Sequence, residues 1–264
     1  MLQGPKQSIG AIASRLGYAI VPKWRLPNRE FAEHLRQVFE RYDIGCVIDV
    51  GANTGQYGRF LRDEVGFGGL ILSIEPIPDC WAALRRTAAG DDAWLTLNCA
   101  LGAADGEAAF NVMADSMFSS FLEPDNARVP GMAAANQVRD RIPVAVRRLD
   151  VVLAEIERDR RLPPLYLKLD TQGYDLEVLK GSGSALERIS ALQTELSVMP
   201  IYQGMPDWQT AIQMLSEYGF APSGLWAVNR DPALRAIEFD CVMVRPAPSG
   251  QNGISPLAPA EAQK

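Results

Sequence analysis

Histidine is almost missing from this chain of 264 residues, with His34 alone. A single imidazole cannot build a histidine-ligated metal centre, and it leaves one candidate for a nucleophile–histidine pair. His34 falls in a polar helical stretch near the N-terminus, away from every motif described below. The four cysteines, Cys46, Cys80, Cys99 and Cys241, form no Cys-x-x-Cys pair. Three of them lie in apolar, strand-like stretches and read as small hydrophobes of a reducing compartment, so the expected location is cytoplasmic. No apolar run reaches the length that a bilayer demands. Positive charge is also short, with 26 Lys and Arg against 32 Asp and Glu for a net −6. That balance argues against a phosphate-backbone partner and leaves small molecules or saccharides.

Residues 1–29 lack acidic side chains but carry Lys6, Arg15, Lys23, Arg25 and Arg29. Ile9, Ile12, Leu16 and Ile20 recur at helical spacing. The segment reads first as a packing helix or loosely held basic arm. The other reading is a basic amphipathic helix making weak peripheral contact with a membrane or partner. Arg15 and Gly17 interrupt the apolar positions in a way a signal peptide does not.

With 47% hydrophobic and 22% charged residues, the remainder has the make-up of one globular α/β domain. Its centre is Cys46-Val-Ile-Asp-Val-Gly-Ala-Asn-Thr-Gly55. A buried strand runs into a glycine turn, and a helix is expected over 56–65. Such a turn offers backbone N–H groups and a helix N-terminus to a ligand. A phosphate-binding P-loop is excluded, because Gln56 and Tyr57 follow Gly55 where Lys and Ser or Thr are required. A dinucleotide fingerprint is disfavoured, since Asn53 replaces its middle glycine and the third is absent. An open turn after a strand-end acid suggests S-adenosylmethionine, held by Asp49, Gly51, Asn53 and Gly55; a structural turn without ligand is the alternative.

The next strand, Leu70-Ile-Leu-Ser-Ile-Glu-Pro76, ends on Glu75, 26 residues beyond Asp49. A carboxylate there suits ribose hydroxyls. After a helix over 79–88, a strand over 94–99 brings Asn98 and Ala100 to the place where an adenine would lie. Short strands are expected over 108–113 and 143–147. Between them, 114–141 is long enough for a lid or substrate loop, with Ser119 as a candidate substrate contact. Leu165-Tyr-Leu-Lys-Leu-Asp170 is the fourth main strand, expected beside the first, so that Asp170 enters the same crevice. A turn at Gln172-Gly173 leads to a helix with Asp175 and Glu177 in its first turn. The strand over 191–197 brings Glu195 to that edge. In the loop that follows, Tyr202 and Trp208 either stack on a sugar face or pin the loop. A helix over 207–218 and a hairpin of 220–228 with 238–244 complete the pattern. The tail from Pro246 has a disordered composition.

The chain resembles FkbM-type methyltransferases. The matching residues are Ile48-Asp-Val-Gly-Ala-Asn-Thr-Gly55, Ile74-Glu-Pro76, Lys168-Leu-Asp-Thr-Gln-Gly173 with Glu177 to Gly181, and Thr194-Glu-Leu196. The resemblance covers 46–245 and omits the N-terminal arm and helices of 1–45 and the tail of 246–264. It implies a Rossmann-like class I methyltransferase fold, an α/β domain with a seven-stranded, mostly parallel sheet and helices on both faces. It also implies S-adenosylmethionine as methyl donor, with Pro76 among the cofactor contacts, and a hydroxyl acceptor on a sugar, glycolipid or secondary metabolite. A hydroxyl needs a base or a metal to become nucleophilic. With His34 remote, Asp170 and Glu195 are the candidate bases, or the two together are Mg2+ ligands. Two roles without catalysis stay open: Asp170 as ligand of the methionine amino group, and Glu195 as a buried carboxylate tied to backbone N–H groups. A non-catalytic cofactor-binding module that recruits a partner is the alternative function, and a nicotinamide oxidoreductase the third.

Overall fold

The computed structural model of the chain describes residues 22–246, together with Arg15 and Gly17. The expected basic helix, apart from those two positions, and the Pro-rich tail lie outside the described residues.

The described residues form ten strands: β1 Cys46–Val50, β2 Leu70–Ile74, β3 Trp94–Leu97, β4 Ala100–Leu101, β5 Gly106–Met113, β6 Val138–Arg147, β7 Leu165–Leu169, β8 Ile189–Ser197, β9 Ala221–Arg230 and β10 Ala236–Val244. Seven form one sheet in the order β3-β2-β1-β7-β8-β10-β9. β3, β2, β1, β7 and β8 run parallel. β10 inserts antiparallel between β8 and β9. This is the Rossmann-like class I methyltransferase fold. Strand order reverses direction at β1 and β7, the place where open α/β sheets leave a crevice at the strand ends.

Every residue of β1 and β7 is buried, as a parallel sheet covered on both faces requires. Alternation along β1 sends Cys46, Ile48 and Val50 into one hydrophobic cluster and Val47 into the other. The first cluster is completed by α4 Leu149–Ile156, α5 Asp175–Lys180 and α6 Trp208–Glu217. The second is completed by α1 Arg29–Arg41, α2 Gln56–Phe60 with its continuation Leu61–Val65, and α3 Pro78–Thr87. α1 belongs to this core, because Ala32, Leu35, Val38 and Phe39 are buried in it. Among the described residues no helix is long and apolar enough to cross a membrane.

Several expectations are corrected. The sequence predicts a helix over 28–42 capped by Asn28; the helix is present as α1, but the Asn28 side chain makes no capping hydrogen bond. The helix expected over 56–65 changes to π-helical spacing at Leu61 and ends at Gly66. Its Arg62 holds that last turn to the Phe67 and Gly69 carbonyls and to Asp91. The third main strand stops at Leu97, and β4 joins a separate three-stranded sheet, β4-β6-β5. The loop expected to reach Arg141 ends earlier, at Val138, where pairing with Met113 begins. Helix α4 was not expected at all.

Candidate active site

A cavity of about 880 Å3 opens over the ends of β1, β2, β7 and β8. That is large within the range of small-molecule sites. One part is apolar, lined by Ile77, Ala100, Leu101 and Phe110. Phe121, edge-on to Phe110 at 4.8 Å, closes it from the loop that follows β5.

The turn after β1 shapes the near wall. Gly51 has φ +78, and a Cβ on it would stand 1.9 Å from the Asp170 carbonyl oxygen, so no side chain fits where β1 and β7 end together. Asn53 also adopts a left-handed conformation, φ +46, which asparagine tolerates better than most residues. The backbone N–H groups of this turn are all engaged. Gly51 and Ala52 donate to the Ile74 carbonyl, Asn53 to Glu75 Oε2 at 2.9 Å, Thr54 to Gln56 Oε1 and Gly55 to the Ala52 carbonyl. The expectation that the turn presents free N–H groups is therefore corrected: its donors tie the turn to β2 and to itself.

Glu75, 4% exposed, takes one N–H on each oxygen, from Asn53 and from Ile77. Burial raises its pKa to about 7 against the pull of those two donors. Each oxygen keeps a lone pair for a hydroxyl donor.

A second polar group crosses the sheet. Register aligns Ser73, Asp49, Lys168 and Gln193 on four neighbouring strands. Asp49 is fully enclosed, 3.3 Å from Lys168 Nζ and accepting the Ser73 hydroxyl at 3.1 Å. Lys168 also meets Asp170 Oδ2 at 3.0 Å and sits 5.1 Å from the centre of the Tyr57 ring. Burial works against its ammonium, yet Asp170 and Asp49 outweigh burial and hold its pKa above that of ordinary lysine. Two residues on from Gln193 comes Glu195, opposite Asp240 of β10. Glu238, Asp240, Glu195 and Asp170 all line the cavity. Burial, then repulsion from Asp170, Glu238 and Asp240, raises the Glu195 pKa well above the usual carboxylate value.

Of the residues singled out from the sequence, Gly51, Asn53, Glu75, Pro76, Ala100, Ser119, Asp170 and Glu195 line this one cavity. Five others do not. Asp49 lies on the sheet face beneath it, paired with Lys168. Gly55 packs against Leu84 and Thr87 of α3. Asn98 turns its amide onto the Glu75 and Pro76 carbonyls. Tyr202 is buried, its hydroxyl on the Phe118 carbonyl and Gln172. Trp208 packs against the core from the start of α6. Glu195 accepts from the Gln172 amide rather than from backbone N–H groups.

Lys168, Gln172, Gln193, Glu238 and Asp240 were not singled out. A signal existed: Lys168 and Asp170, Gln193 and Glu195, Glu238 and Asp240 are i, i+2 pairs, which share one face of a strand.

An apolar slot beside a carboxylate suits a nucleoside. A divalent cation is another matter. Gln172 Nε2, a donor, stands 3.0 Å from Asp170 and 2.9 Å from Glu195, where a bridging ion would have to sit. No metal-holding group of three or more His, Cys, Asp or Glu occurs among the described residues. The residues present do not fit Mg2+.

Known proteins share parts of this chain. A model of the methyltransferase FkbM domain matches residues 49–222. Methyltransferase sdnD of Sordaria araneosa is 27% identical over 191 residues, 64% of this chain and 73% of its own. Among solved structures, a methyltransferase FkbM from Methylobacillus flagellatus aligns with 92% of this chain and 71% of its own, at 14% identity and TM-score 0.45. Magnesium protoporphyrin IX methyltransferase from Synechocystis, with S-adenosylmethionine bound, aligns with 93% of this chain and 99% of its own, at 9% identity and TM-score 0.44.

Proposed function

The chain belongs to the FkbM methyltransferase family, and from that premise we propose that it methylates a hydroxyl of a sugar, glycolipid or secondary metabolite, with S-adenosylmethionine as donor. The observation that carries the proposal is the sharing of one cavity by a buried ribose-type carboxylate, Glu75, and a carboxylate of raised pKa, Glu195. Ile77, Ala100, Leu101 and Phe110 would hold the adenine, Glu75 the ribose hydroxyls, and the end of β1 with Asp170 the amino-acid portion.

Bound there, S-adenosylmethionine supplies an electrophilic methyl group on a sulfonium. The protein's part is to orient the acceptor and to take one proton. Glu195 would take that proton from the acceptor hydroxyl, the sulfonium's sulfur–methyl bond breaking as its methyl carbon passes to the acceptor oxygen. Burial beside Asp170, Glu238 and Asp240 raises its affinity for that proton. Asp170, ion-paired to Lys168, orients the reacting groups beside it. Gln193 and Asn229 hold Asp240 and Glu238 in place around the acceptor end of the cavity.

Calorimetric titration with S-adenosylmethionine and, separately, with NADH tests the donor. Binding of the first alone, lost in Glu75→Ala, is the expected result, and absence of binding overturns the proposal. An acceptor screen on sugars then tests the chemistry. Asp170→Ala is expected to abolish turnover, and an active variant removes its role.

A further inference from the structure

Between Asp170 and Glu195 stands the side chain of Gln172. Its Nε2 donates to Asp170 Oδ1 at 3.0 Å and to Glu195 Oε2 at 2.9 Å. An amide nitrogen has two protons, and both are committed here. The remainder of the residue is fixed from other directions. The Tyr202 hydroxyl lies 3.0 Å from Gln172 Oε1, and the Ser120 hydroxyl donates to its main-chain oxygen at 2.8 Å. Gln172 holds φ +53, a region that residues with a Cβ rarely enter, and Gly173 follows at φ +91. A strained conformation of this kind persists only where its surroundings impose it.

Two loops converge on that one residue. Ser120 comes from the connection between β5 and β6, and Tyr202 from the segment after β8. The two segments touch directly, because the Tyr202 hydroxyl shares its one proton between Gln172 Oε1 and the Phe118 carbonyl, the latter at 2.6 Å, and Tyr202 bridges to Pro124. Phe118 and Ser119 of the first segment line the cavity.

We propose that Gln172 is the positioning residue of the reaction centre: its amide sets the separation and orientation of Asp170 and Glu195, while Tyr202 holds the amide and Ser120 the main chain that carries it, so that the seating of two loops aligns the carboxylate pair. The inference rests on the methyl-transfer reading of the cavity. Glutamine is suited to this task because it is neutral and carries two donors on one atom. A glutamate would add a fifth carboxylate to Asp170, Glu195, Glu238 and Asp240, and an aliphatic side chain would leave the first two facing each other unscreened.

The groups that face Glu195 decide what removal of the amide does. Asp170 and Lys168 face it from β7, Glu238 and Asp240 from β10, Tyr202 from the loop, and Gln172 from the turn. Lys168 is already shared between Asp49 and Asp170, so the Gln172 amide is the donor in direct contact with the Glu195 carboxylate. Hydrogen bonds to an anion favour it over the acid. Without them Glu195 holds its proton to higher pH.

The test needs no acceptor. In protein labelled with 13C at the glutamate side-chain carboxyls, the Glu195 resonance is identified by its absence in Glu195→Gln. Its titration is then followed in the unsubstituted protein, in Gln172→Leu and in Tyr202→Phe. The expected result is an upward shift of the Glu195 midpoint in Gln172→Leu, a smaller one in Tyr202→Phe, and no shift at Glu75. An unmoved Glu195 midpoint in Gln172→Leu overturns the proposal. If that variant does not fold, Tyr202→Phe takes its place, and an unmoved midpoint there overturns the proposal equally. With an acceptor found by the sugar screen, kcat of Gln172→Leu near neutral pH is expected to fall about 10- to 100-fold with little change in KM for S-adenosylmethionine. Failure of the unsubstituted protein to bind S-adenosylmethionine would instead defeat the functional reading and leave the titration result standing.

Discussion

Burial lifts the Glu75 carboxyl to about 7, although the Ile77 and Asn53 N–H groups pull it down. Ribose hydroxyls bind more strongly to the anion than to the acid, so ligand binding and proton binding compete at this residue. Affinity for S-adenosylmethionine is therefore expected to rise as pH climbs from about 6 to about 8, then level off. Calorimetry across that range checks it, and Glu75→Gln should flatten the slope. Gly51 offers a stability test at the same scale. A Cβ would stand 1.9 Å from the Asp170 carbonyl oxygen at φ +78, so Gly51→Ala carries both a clash and backbone strain. Strain of that kind alone costs about 1–3 kcal/mol. A lowered Tm is expected in thermal unfolding, with loss of S-adenosylmethionine binding because the ends of β1 and β7 are forced apart.

Among the elements, α5 depends on one buried acid. Asp175 accepts from the Thr171 N–H at 3.1 Å, from the Thr171 hydroxyl, and from the Thr194 hydroxyl of β8. It thereby joins the turn after β7 to the next strand and fixes the angle at which that turn presents Asp170 and Gln172. Asp175→Ala leaves buried donors without partners, at about 1–3 kcal/mol. For a domain of this size that is a Tm lower by roughly 2–12 °C. Scanning calorimetry would show it, and an unchanged Tm would mean that the acid does not anchor the helix. In α4, Leu149, Val152, Leu153 and Ile156 stand at helical spacing, and the first three are buried, so its existence was legible. The π-helical end of α2 was not, because it is set by distant partners of Arg62, Asp91 among them, rather than by local propensity.

At the scale of the whole molecule, a ligand that binds only the folded protein stabilises all of it. S-adenosylmethionine at about a hundred times its Kd is expected to add about 2.7 kcal/mol. At about 2–4 °C per kcal/mol this raises Tm by roughly 5–11 °C, whereas NADH should leave it unchanged. Differential scanning fluorimetry distinguishes the two. A shift with NADH alone would return the cavity to a nicotinamide cofactor.

The two glycine-bearing turns, the acids at the ends of β1, β2 and β7, and the strand–helix alternation are local patterns, written within a few residues. They carried the resemblance to the FkbM family, which implied the class I methyltransferase fold, and they pointed to the crevice that Gly51, Glu75 and Asp170 share. Only the tertiary structure decided which face each polar residue takes. Register across β1, β7 and β8 turned Asp49 into the buried partner of Lys168, and β10, some forty residues beyond Glu195, delivered Glu238 and Asp240 to its side. Tyr202 likewise became a support of Gln172 instead of a cavity wall. Side-chain periodicity says that alternate residues share a face, but which face meets the ligand depends on strands and loops far away in the chain.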